Sequence, residues 1–186
     1  LARETKRARL LILGNPIANR RDPVRVAEEM AMVDVYSRGR LECGFVRGVP
    51  YEMSAGNHRP TRMMERFWEA HDLIVKAWTS HDGPFNWEGK YFHHRQVNIW
   101  PRPYQQPHPP IWITALSPSS ARDVGEKGCV VACFLTGFQG TKAVFENYRA
   151  RRAELGLPVA ALDRFAYAAL VYPGETDEEG YAGARK

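Results

Sequence analysis

Short apolar runs ending in small residues alternate with longer, capped segments of helical spacing, and this alternation constrains the fold more than anything else in the chain. Leu10-Leu11-Ile12-Leu13-Gly14 reads as a buried strand. Asp22-Pro23 then supplies an N-cap with proline in the first helical position. Ala27, Met30, Ala31 and Val35 give that helix one apolar face as far as Gly39. Leu41 to Val46 is the next strand, closed by Arg47-Gly48, and a helix is expected from Thr61 to Trp78. After an irregular stretch the rhythm resumes. A strand at 110–115 leads to a helix opened by Ser117-Pro118 and ended by Gly128, and a strand follows from Cys129 to Leu135. A Thr141-capped helix then runs to Leu155, a last strand spans Phe165 to Tyr172, and Thr176 with Glu179 caps one more helix.

Five strand–helix repeats without a hairpin signal call for parallel strands joined by crossover helices. A doubly wound sheet and a (β/α)8 barrel both satisfy this pattern. The first strand is not followed by G-x-G-x-x-G, which weakens the dinucleotide-binding version. Five units are too few to close a barrel of typically ~250 residues. Residues 82–110, dense in proline and aromatics, form an irregular insertion too long for a plain turn.

Composition narrows the partners. The net charge of +5 is spread along the chain with acidic residues interleaved, and Lys6, Arg7, Arg9, Arg20, Arg21 and Arg25 accompany no nucleic-acid-binding motif. A solvated surface with one or two phosphate contacts is the expectation, with no nucleic-acid partner. No apolar run approaches the ~20 residues of a membrane span, so no membrane partner is expected. Cys43, Cys129 and Cys133 lie in apolar surroundings and read as buried free thiols of a cytoplasmic protein. His58, His71, His81, His93, His94 and His108 lack metal-ligand spacing, so no metal site is expected.

Both α/β architectures bind ligands at the carboxyl ends of their strands. Those ends carry Gly14-Asn15, Arg47-Gly48, Ala115-Leu116-Ser117, Thr136-Gly137 and Pro173-Gly174. Arg47 is the one cation directly at a strand end, and Ser117, Ser119 and Ser120 surround a helix start that attracts anions. Together they suggest a phosphate site. The alternative from spacing is an arginine paired with a carboxylate and a serine that merely caps its helix. No P-loop or nucleophile elbow is present.

Several motifs in order resemble the luciferase-like flavin monooxygenases. They begin with Asp22-Pro23-Val24-Arg25-Val26-Ala27-Glu28-Glu29, Asp34 and Ser37-Arg38-Gly39-Arg40-Leu41-Glu42-Cys43-Gly44. Val46-Arg47-Gly48, Tyr51-Glu52, Arg62 with Glu65, Phe85 to Tyr91, Pro101-Arg102-Pro103, Pro107 to Ile113 and Ser117-Pro118 continue the series. The resemblance implies a TIM-type barrel in which residues 1–186 form a single domain truncated at both ends, holding about strands three to seven. It implies reduced FMN, delivered by a separate flavin reductase, reacting with O2 to oxidise a small-molecule substrate. F420-dependent oxidoreductases are the first alternative; a non-catalytic flavin-binding protein or an inactive fragment is the second. Carried over by position, Arg47, Ser117 and Ser120 bind the cofactor phosphate, with Ser119 beside them. Gly14-Asn15 falls where a non-proline cis peptide often faces the flavin ring. The family's upstream catalytic histidine has no counterpart here, so no catalytic residue is assigned. Open barrel edges imply a homo-oligomer.

Overall fold

The computed structural model describes residues 1–185, which divide into two compact units, 1–113 and the residues from Thr114 onward. In the first unit, parallel strand β1 (Leu10–Pro16) pairs with β2 (Leu41–Val46), and β2 pairs with β5 (Ile111–Thr114). Helices α1 (Pro23–Ser37) and α3 (Met63–Thr79) cover β2, and the short α2 (Pro50–Ala55) lies between β2 and α3 in sequence. Leu41, Cys43 and Phe45 are fully buried, and Phe45 stacks on Trp78 of α3 at 6.2 Å between ring centroids. The Trp78 indole N–H donates to the Ala27 carbonyl at 2.9 Å, tying α3 to α1.

Asp22 caps α1 through bonds from the Val24 and Arg25 amides, as its place before proline implies. The buried face of α1 differs from expectation. It runs through Val26, Ala27, Met30, Ala31 and Asp34, whereas Val35 is 40% exposed. Helical periodicity places position 34 inward, and Gln105 makes a carboxylate tolerable there. Its backbone N–H and its side-chain amide each donate to Asp34 at 2.8 Å.

The insertion contains a hairpin that the sequence reading did not anticipate. Strands β3 (Phe85–Glu88) and β4 (His93–Val97) pair antiparallel. A carboxylate from another element holds the turn, which explains why no turn motif betrays it. Glu69 of α3 accepts the backbone N–H groups of Lys90, Tyr91 and Phe92, the last at 2.9 Å, and the Trp87 indole N–H at 3.2 Å. The parallel strands pack so closely that Gly44 admits no side chain. A Cβ there would meet the Ile12 carbonyl and lie 2.6 Å from the Leu13 Cα.

In the second unit, α4 (Pro118–Lys127) ends at Gly128, whose left-handed φ of 70° closes the helix as expected. Strand β6 (Val130–Phe134) pairs parallel with β7 (Phe165–Ala168), with α5 (Gly137–Glu154) between them in sequence. Helix α5 starts a turn before the expected Thr141 cap, because positive φ at Leu135 and Gly137 turns the chain directly into the helix. Thr141 is buried within α5, its hydroxyl 2.7 Å from that of Thr136. Strand β7 stops at Ala168 rather than Tyr172, because its pairing with β6 ends at Phe134. Thr176 caps the final helix, α6 (Asp177–Ala184), accepting the Glu179 amide.

Candidate functional site

Arg47 follows β2 immediately and is half-buried. Its one hydrogen-bond contact among the described residues is a 3.1 Å approach of Nη1 to the Met64 sulfur, and no carboxylate lies within ion-pair distance. The sequence-level alternative of a carboxylate-paired arginine therefore does not hold for the described residues. A half-buried guanidinium without a counter-charge is costly unless an anion completes it.

Gly14 and Asn15 lie in β1, where the register against β2 shifts between Leu13 and Asn15. Gly14 takes a φ of +125° and leaves open space where a Cβ would stand. The peptide joining Gly14 to Asn15 is trans, a correction to the expected cis bond. Glycine's positive φ and the register shift produce the bend without it. The cis bonds among the described residues are Trp100–Pro101 and Gln106–Pro107.

Ser117, Ser119 and Ser120 do come together. The Ser117 hydroxyl lies 3.1 Å from that of Ser119 and 3.0 Å from that of Ser120, and it accepts the Ser120 amide as the α4 cap. Ser120 is buried and donates to the Ser117 carbonyl at 2.9 Å, so its hydroxyl already has work in the cap. Ser119 is exposed on the first turn. The cluster offers an incoming anion hydroxyl donors at the positive end of a helix.

Two features around the carboxyl end of β1 escaped the sequence reading. Arg66 of α3 is buried and donates to the carbonyls of Ala18 and Arg20 at 2.7 and 3.0 Å, fixing the turn after β1. Its guanidinium also lies 4.3 Å from the centre of the Phe92 ring. Asn19 Oδ1 and His58 Nε2 are buried atoms without a hydrogen-bond partner among the described residues. Burial first, then Arg66 and Arg21, lowers the His58 pKa from its usual value, favouring the neutral ring. No local motif marks these residues, since their roles depend on contacts far along the chain.

Other reactive groups are structural. Burial, reinforced by Asp34 and Glu42, pushes the Cys43 thiol far above its ordinary range, so it is no thiolate nucleophile. Glu65 is held down to about 2 by bonds from Lys90 and then Tyr91, which join the hairpin to α3 at the surface. Among the described residues no group of three potential ligands could hold a metal ion, and no helix is long and apolar enough to cross a membrane.

Parallel strands with crossover helices, small residues at the strand ends and an anion-ready helix start define an α/β protein with mostly parallel strands. The luciferase-like monooxygenase family model matches residues 1–186, and the chain belongs to that family. It is 33% identical over 134 residues to the flavin-dependent trigonelline monooxygenase, oxygenase component, of Acinetobacter baylyi, covering 70% of this chain and 36% of that protein. The monooxygenase RslO1 of Streptomyces bottropensis superposes with a TM-score of 0.83 at 26% identity, covering 99% of this chain and 56% of that one. The FMN-bound oxygenating constituent of 3,6-diketocamphane monooxygenase from Pseudomonas putida gives a TM-score of 0.82 at 21% identity, covering 96% and 52%. That likeness concerns the fold. The chain thus spans about a third of the matched enzyme's length and about half of each superposed structure.

Proposed function

We propose that this chain forms part of an FMN-dependent monooxygenase that oxidises a small organic molecule with reduced flavin and O2. The observation that carries the proposal is Arg47, a half-buried cation at a strand's carboxyl end with no carboxylate partner among the described residues. A phosphate supplies the charge missing there, and the Ser117–Ser120 helix start of the second unit, taken by itself, is also a set of donors suited to an anion. Each of the two groups, considered within its own unit, has the chemistry that the phosphate of a flavin mononucleotide requires. Gly14 and Asn15 would lie beside the ring system, where the open space at Gly14 permits close approach of the backbone.

When bound, the flavin supplies the redox chemistry; the protein's part is to bind, orient and exclude water. Arg47 anchors the charged end, and Arg66 keeps the turn after β1 in place by holding two of its carbonyls. The trigonelline enzyme's description as an oxygenase component supports a further step: a separate reductase delivers the reduced cofactor here too. The protein is proposed to be cytoplasmic and homo-oligomeric, with Leu11 and Leu13 of β1, 42% and 45% exposed, among the apolar surfaces available for association.

Titration of the chain with FMN and with riboflavin tests the cofactor reading. FMN should bind much more tightly than riboflavin, and Arg47→Ala should weaken FMN binding by about 1.5–3 kcal/mol, roughly ten- to a hundredfold. Equal affinity for the two flavins, or an Arg47→Ala variant that binds FMN as the parent does, removes Arg47 from the site.

A further inference from the structure

A cavity of about 230 Å³ lies within the second unit at the amino ends of β6 and β7. Gly128, Tyr148, Arg152, Arg164 and the loop 159–161 line it. We propose that it is a binding site for a small phosphate-type anion, separate from the groups assigned to the flavin.

Arg152 is already aimed. Its Nε donates to the Pro158 carbonyl at 3.0 Å and its Nη1 to the Gly125 carbonyl at 3.3 Å, which fixes the guanidinium plane. Both partners are neutral carbonyls, and no carboxylate lies within ion-pair distance of Arg152 among the described residues. Among the described residues the ion pair of Arg164 is with Asp163, at 3.8 Å, and that carboxylate is 76% exposed and well solvated. Tyr148 forms a wall rather than an acid, because its hydroxyl is committed to the Cys129 carbonyl at 2.8 Å.

The main chain favours the same ligand. The amide N–H groups of Val159, Ala160 and Ala161 find no protein acceptor among the described residues. Two guanidinium groups and free amides around a small cavity are the donor set that oxyanions take. The volume is below the ~300–1,000 Å³ of ordinary organic-ligand pockets, which fits a phosphate with little attached to it.

The cavity is also remote from the serine cluster. Ser117 precedes α4 and Gly128 follows it, and a ten-residue helix spans about 15 Å. Ligands of such folds bind at the carboxyl ends of the strands, so an anion at the amino ends would act on the scaffold.

Calorimetric titration of the 186-residue chain with inorganic pyrophosphate at low salt tests the site. The parent should bind it, Arg164→Gln should lose at least tenfold in affinity, and Arg164→Lys should recover part of that loss. The melting temperature of Arg164→Gln without ligand should match the parent's, showing that the variant folds. Arg47→Ala should keep the binding that Arg164→Gln loses. The proposal is overturned if the parent does not bind, if Arg164→Gln binds equally well, or if Arg47→Ala alone abolishes binding.

Discussion

Strands β2 and β7 show what an apolar run needs to become core. Both are short parallel strands with aromatic residues. In the first unit β2 has a strand on either side and two helices over it, and its Leu41, Cys43 and Phe45 are fully buried. In the second unit β7 pairs with β6, Tyr167 is 50% exposed, and α6 contributes no buried residue. Phe165 is the exception, contacting Phe145 and Tyr148 of α5 at 4.9 and 5.2 Å between ring centroids. Hydrophobic sequence therefore proposes a strand, and the number of surfaces brought against it decides how much stability it contributes.

That contrast can be broken by mutation. The largest effect is expected at Trp78, fully buried, stacked on Phe45 and His108 and bonded to Ala27. Trp78→Ala should destabilise the chain by about 3–5 kcal/mol in urea unfolding. A loss below ~1 kcal/mol would mean that α3 is not the cover of β2. Next comes Glu69→Ala, which strips three backbone N–H groups and an indole of their acceptor. A cost of about 1–3 kcal/mol is expected, with hydrogen exchange quickening in residues 85–97 ahead of α1. Unchanged exchange in the hairpin would show that it stands without α3. The smallest effect belongs to Val171, which is 84% exposed. Val171→Lys should change stability by no more than about 0.5 kcal/mol while reducing self-association in sedimentation. A substantial destabilisation would reveal that the apolar stretch after β7 is covered after all.

Much of the architecture was legible because caps are local. Asp22, Ser117, Gly128 and Thr176 each do what their immediate neighbours in sequence imply. What the sequence concealed depended on distant partners. Asp34 turns inward because Gln105, 71 positions later, meets it. The hairpin closes because Glu69 reaches across from α3. At the candidate site, the serine grouping and the place of Arg47 could be read from strand ends. The absence of a carboxylate beside Arg47 among the described residues could not, since it depends on every element that might have supplied one. The expected cis bond at Gly14–Asn15 came from resemblance alone, and glycine's own backbone freedom makes the bend.

Gly44 has a consequence for how mutational scans of such a chain are interpreted. A single added methyl there would press on the backbone of Ile12 and Leu13, one residue short of Gly14. Relief of that pressure displaces the end of β1, and with it whatever Gly14 and Asn15 touch. A Gly44→Ala variant would then resemble a mutant of the proposed flavin site in a binding screen, although residue 44 is not among the residues assigned to that site. Loss of binding there would measure strand clearance, and only a parallel reading of folding would tell the two apart.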